Sequence, residues 1–103
     1  MRKPVYSTKF KKDYKRCIKR GYSMQKITDV MYKLENEIPL PPELKEHRLL
    51  GEYADCLECH MEPDWLLMYI INDDAENNYS DEVDEIFKEV YFVRTGTHND
   101  LFE

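Results

Sequence analysis

No run of apolar residues in this chain is long enough to cross a bilayer. The longest, Trp65 to Ile71, is far short of the roughly 20 residues that a spanning helix needs. The opening residues Met1-Arg2-Lys3-Pro4 lead into polar sequence without the apolar segment of a secretory leader, so a cytoplasmic, membrane-free setting is expected. Cysteine is scarce, and three reduced thiols suit that compartment. No internal repeat is present, and 103 residues suffice for one domain, residues 1–103, with one modest core and no disulfides. Basic residues nearly vanish from the second half. Residues 49–103 hold 2 Lys/Arg against 15 Asp/Glu, whereas residues 1–48 hold 13 against 6, so the net charge of −6 hides two opposite fields. The basic half can face a polyanion while the acidic half faces away.

From Thr8 to Arg20, Phe10, Tyr14, Cys17 and Ile18 form one helical stripe, with Lys9, Lys11, Lys12, Lys15, Arg16, Lys19 and Arg20 around it and Asp13 the single acid. Gly21 suits the position after a helix end. Ser23 suits the N-cap of a second helix, whose stripe runs Ile27, Val30, Met31, Leu34, Ile38 until Pro39 stops it. Two helices so closely joined predict an antiparallel helical hairpin. Residues 2–6, Arg48–Leu50, Ala54–Met61, Trp65–Asn72 and Ile86–Arg94 read as strands. Residues 73–85, acidic and without Lys or Arg, read as a solvated loop. The expected fold is α+β in the order β-α-α-β-β-β-β, an antiparallel sheet with the N-terminal helical hairpin packed on one face.

Histidine occurs only three times, at His47, His60 and His98. Imidazole, with an unperturbed pKa of about 6.5, both takes and gives a proton near neutrality. Alternation along Ala54–Met61 puts Cys56, Glu58 and His60 on one face and Leu57, Cys59 and Met61 on the other. The second set suits the helix-packed core, leaving His60 on the open face within reach of Asp64. His98 follows the last strand through Thr95-Gly96-Thr97, and Arg94 can offer a fork of N–H donors to phosphate. RNA cleavage without a metal uses these residue types: a base for the ribose 2′-OH, an acid for the departing 5′-oxygen, and a cation for the equatorial oxygens. Trp65 and Phe102 are candidates to stack on a splayed base.

Cys56-Leu57-Glu58-Cys59-His60 also fits the attachment pattern for c-type haem, but that chemistry needs export, and on a strand the two thiols point to opposite faces. No cofactor and no metal are expected.

His60-Met61-Glu62-Pro63-Asp64-Trp65 and Arg94-Thr95-Gly96-Thr97-His98 with Leu101-Phe102 resemble the YafQ-type toxins of the RelE/ParE superfamily. Tyr6-Ser7 with Phe10-Lys11-Lys12-Asp13, Leu40-Pro41-Pro42, and Glu46-His47-Arg48-Leu49 extend the resemblance over nearly the whole chain outside 73–85. It implies a ribosome-dependent endoribonuclease that cuts mRNA in the A site. It also implies a cognate DinJ-like antitoxin in a toxin–antitoxin hetero-oligomer. By that resemblance His47, His60, Asp64 and His98 are catalytic, Phe102 shapes the site and Arg94 contacts phosphate. His98 is assigned as general acid, and His60 or His47 as base. The rival expectations are a ParE-like inhibitor without catalysis and a degenerate module retained only to bind an antitoxin.

Overall fold

The computed structural model describes residues 1–73, 79–80, 85–86 and 88–102. Strand β1 (Arg2–Tyr6) leads into helices α1 (Thr8–Lys19) and α2 (Met24–Glu35). Strands β2 (His47–Arg48), β3 (Leu57–Glu62) and β4 (Trp65–Asn72) follow. The short strands β5 (Tyr79–Ser80) and β6 (Glu85–Ile86) precede β7 (Lys88–Gly96) and helix α3 (His98–Phe102). The fold is α+β, around a five-stranded sheet in the order β1-β7-β4-β3-β2.

The sheet departs from the all-antiparallel expectation at one edge, where β1 pairs with β7 in parallel. A tight hairpin forces antiparallel pairing, but these two strands are joined through the rest of the domain and are free of that constraint. The acidic loop expected over 73–85 lies mostly outside the described residues. Asp73 takes a two-point bond from Arg2, at 3.0 Å on each oxygen, and β5 pairs with β6.

Helix α1 begins at Ser7, whose hydroxyl accepts the Phe10 N–H at 2.9 Å. It ends on Gly21, at φ +79°, with the Tyr22 N–H bonded to the Cys17 carbonyl at 3.1 Å, so the glycine is at the left-handed position that closes the helix. Ser23 stands at the N-cap of α2, but its hydroxyl caps nothing. Helix α2 ends before Pro39 is reached: Glu37 turns left-handed at φ 59°, and the Ile38 N–H closes on the Lys33 carbonyl at 2.9 Å. Ile38 is therefore outside the helix and exposed.

The α1 stripe also differs from expectation, since Ile18 faces solvent while Asp13 is only 2 % exposed. A buried carboxylate is tolerable only with full pairing. Asp13 has it from the Arg94 guanidinium at 2.7 and 3.0 Å, Arg16 at 2.7 Å and the Thr95 N–H at 3.2 Å. The main core lies between the helices and the sheet, from Phe10, Cys17, Ile27, Val30 and Leu34 to Cys59, Leu67, Tyr69, Val90 and Phe92. The opposite face is not bare. Leu101 of α3 packs there on Leu66, Met68 and Cys56, with Leu49 and Tyr53 beside them.

Candidate active site

The sheet register assembles the site. His47 of β2 is directly opposite Glu58 of β3. His60 is two residues further along β3 and projects to the same side. Across the two-residue Pro63-Asp64 turn, His60 pairs with Leu66, and Leu66 pairs with Gly96 at the end of β7. Two residues beyond Gly96 the chain enters α3 at His98. Three imidazoles thus form a row, with ring centres 5.7 Å apart from His47 to His60 and 6.1 Å from His60 to His98. Phe102 follows, 6.4 Å from His98 and held edge-on by Tyr53.

A carboxylate serves each end of the row. Asp64 Oδ1 accepts the backbone N–H of His98 at 2.9 Å and stands 2.6 Å from its Nδ1. These two contacts, the backbone one first, hold the Asp64 carboxyl below its ordinary range. They also commit Nδ1 and leave Nε2 of His98 to exchange a proton with a substrate. At the other end Glu58 Oε1 is 3.4 Å from Nε2 of both His47 and His60. The Glu58 side chain is 5 % exposed and its Oε2 has no partner. Glu58 was not singled out from sequence. Its signal was available in the alternation that put it on the face of His60, but a lone glutamate on a strand carries no motif. A groove of 350 Å³ opens beside His60, between Lys45, Glu62 and Pro63.

Helix α3 is too short to be stable alone, and a latch of charges holds it. Asp100 Oδ2 accepts the Thr97 N–H at 2.9 Å while Thr97 Oγ1 accepts the Asp100 N–H at 3.2 Å, a reciprocal cap. The Asp100 carboxylate also takes both arms of Arg20, the residue that follows α1, at 2.6 and 3.1 Å. Arg20 and the Thr97 N–H keep that carboxyl far below the usual range. Gly96, at φ +154°, allows the approach, because a Cβ there would meet Asp100 Oδ2 at 2.8 Å.

Of the expected site residues, His47, His60, Asp64, His98 and Phe102 are brought together. Trp65 is not: it is 2 % exposed, donates Nε1–H to Thr95 Oγ1 at 3.1 Å and packs against Tyr22. Its place on the helix-facing side makes it core, and stacking on a base is excluded by burial. Arg94 gives Nε and Nη2 to Asp13, so its fork is already occupied and Nη1 is what it has left for a phosphate. The thiols Cys56 and Cys59 lie in cores on opposite faces, and burial pushes Cys59 up to about 12, so the pair cannot grip one haem edge.

Residues 2–103 match the family model described as a bacterial toxin of type II toxin–antitoxin systems, YafQ. This chain belongs to the YafQ toxin family. The mRNA interferase toxin YafQ of Escherichia coli strain K12 is 37% identical over 98 residues, which span 94% of this chain and 91% of that protein. The toxin fold in the crystal structure of the E. coli DinJ-YafQ toxin–antitoxin complex is similar at a TM-score of 0.80 and 35% identity, covering 99% of this chain and 98% of that one. A metal-bound toxin from Helicobacter pylori is similar at 0.78 and 34% identity, covering 99% and 100%. For a YafQ-family chain, the row of imidazoles on the α3 side of the sheet is the natural place to look for chemistry.

Proposed function

We propose that this chain is the toxin of a type II toxin–antitoxin pair, an endoribonuclease that cleaves mRNA in the ribosomal A site, in the cytoplasm, and is silenced by a DinJ-like antitoxin. The observation that carries this reading is the row His47–His60–His98, with a carboxylate at each end. His98 is the general acid: Asp64 fixes its Nδ1, so Nε2 faces the departing 5′-oxygen. His60 is the base that takes the 2′-OH proton, because its ring is the nearer neighbour of His98 and a phosphodiester laid over the pair meets both. His47 and Glu58 orient His60 and supply the local charge balance. Each acid or base contributes about 10²–10⁴ in rate.

Phe102, exposed at the end of the row, supplies a face for base stacking. Arg94 uses Nη1 on the phosphate, and the exposed lysines of α1 track ribosomal RNA, with an affinity that falls steeply with salt. The proton relay uses the chain's own groups, so no resident metal takes part in the step.

The test is cleavage of a defined mRNA, with and without programmed ribosomes, by wild-type protein and His98→Ala. Cuts only on ribosomes, ending in 2′,3′-cyclic phosphate, and a 100-fold or greater loss in the variant at unchanged circular dichroism, are expected on the magnitude of about 10²–10⁴ for an acid. Undiminished growth arrest by His98→Ala would instead favour an inhibitor that acts by binding alone.

A further inference from the structure

We propose that Glu46 is a positioning residue for the reaction: its carboxylate, bonded to the Tyr69 hydroxyl from the core, fixes His47 in the row of imidazoles. The proposal rests on the cleavage reading above, in which His47 orients His60. Glu46 immediately precedes β2, and β2 is a poor anchor by itself. That strand has two residues, lies at the edge of the sheet and pairs with β3 alone. A strand so short, bonded on one side only, opens readily unless something else ties it down.

The segment before β2 provides the ties. Leu40 and Leu44 pack against the main core. The Lys45 carbonyl is 2.9 Å from His47 Nδ1, and since a carbonyl only accepts, Nδ1 donates and the ring is set from its own backbone. Lys45 offers that carbonyl from a left-handed φ of 52°, which a residue other than glycine keeps only where its surroundings impose it. The next residue supplies the constraint, because Glu46 Oε2 accepts the Tyr69 hydroxyl.

Tyr69 suits the fixed end of this bond. It stands on β4, with β3 between it and β2, and is fully buried among the core residues of the helix-facing side. Burial pushes its hydroxyl far above the usual range, so it keeps its proton and donates at any pH used to assay cleavage. Glu46 and His47 thus leave the chain on opposite sides of the sheet. One is tied to the core, and the other stands opposite Glu58 with its ring 5.7 Å from that of His60. Glu46 itself remains exposed, so removing the Tyr69 hydroxyl strands no buried charge.

The experiment compares Tyr69→Phe, Glu46→Ala, the double variant and Glu46→Gln with wild type, by NMR of the full chain and by cleavage on programmed ribosomes. Ring-proton contacts between His47 and His60 are expected in wild type and in Glu46→Gln, whose amide oxygen still accepts the bond, and should be absent from the other three. Contacts between His60 and His98, whose centres are 6.1 Å apart, should persist in all. In those three, kcat should fall about tenfold at unchanged KM, less than the roughly 100-fold cost of moving a reacting group by 1 Å. The double variant should fall no further than either single one, since both remove the same bond. Val30→Ala, a core change that lowers the melting temperature, should keep the ring contacts and kcat, which separates placement from stability. Glu46→Ala alters an exposed position and decides the matter even if Tyr69→Phe fails to fold. Undisturbed His47–His60 contacts in Glu46→Ala overturn the proposal, and lost contacts at wild-type kcat overturn the role in the reaction. Wild-type protein without cleavage sinks the nuclease reading alone, and the ring contacts still decide whether Glu46 places His47.

Discussion

Replacing Asp100 should disarm His98 without touching it. The Asp100 carboxylate joins three elements: it caps α3 through Thr97, clamps α1 through Arg20 and lies 3.9 Å from Arg16. Loss of the cap costs about 1 kcal/mol. The Arg20 fork is well aligned, but Arg20 is 37% exposed, so its contribution is held to about 1 kcal/mol, the top of the range for solvent-screened pairs. Asp100→Ala therefore loses about 2 kcal/mol, which raises the fraction of molecules with α3 unlatched by up to about 30-fold. Asp100→Asn keeps the cap and loses about half as much. Since a displacement near 1 Å costs a group placed for catalysis, as proposed for His98, about 100-fold, and the latched population can fall by no more than about 30-fold, cleavage should fall by up to about 30-fold in Asp100→Ala, with faster amide exchange at residues 98–102. A double-mutant cycle with Arg20→Ala should show coupling near 1 kcal/mol. Wild-type cleavage by Asp100→Ala, with exchange at 98–102 unchanged, would refute the latch.

Gly96→Ala should destabilise the same corner, since the new methyl meets Asp100 and the backbone is at φ +154°; a lower melting temperature and slower cleavage would mark it. Trp65→Ala should cost about 3–5 kcal/mol in denaturant unfolding, as for any large core residue, whereas Trp65→Phe, which keeps the packing and loses the Thr95 bond, should cost about 1 kcal/mol and leave RNA affinity unchanged. Glu37, lowered to about 2 chiefly by Lys88, and Asp64 and Asp100, lowered by the His98 backbone and by Arg20, have depressed folded values. Their stabilisation is full above the unfolded range near 4 and is lost as pH falls through the folded values, so the melting temperature should hold steady down to about pH 4.5 and drop below it. Native protein at pH 8 should resist alkylation at its three buried thiols, and urea should expose all three.

Much of this arrangement was legible along the chain because period-2 and period-3.6 patterns report directly on which side a residue faces. Strand alternation separated His60 and Glu58 from Cys59 and Met61, and Gly21 marked the end of α1. What escaped was decided by partners distant in sequence. Asp13 reads as part of a solvated basic helix until Arg94 and Thr95 from β7 are seen to surround it. Trp65 shares its motif with Asp64, yet Asp64 belongs to the turn and reaches His98 while Trp65 opens β4 and enters the core. The parallel seam between β1 and β7 leaves no local trace, because no turn joins the two strands. Helix α3 has one turn, too short for periodicity, and only the Thr97–Asp100 spacing hints at its start.

The position of β7 governs when the molecule can take shape during synthesis. It is the last strand to be made and sits inside the sheet, between the first strand and β4. Everything translated earlier has an incomplete scaffold: α1 lacks the strand it packs on, and Asp13 has Arg16 but lacks Arg94 and the Thr95 N–H. Pairings that close across the whole length of a chain form slowly. A nascent chain that has not yet completed β7 and α3 therefore has His47 and His60 but not the third imidazole beside Asp64, and the row is closed only by the last elements to be made.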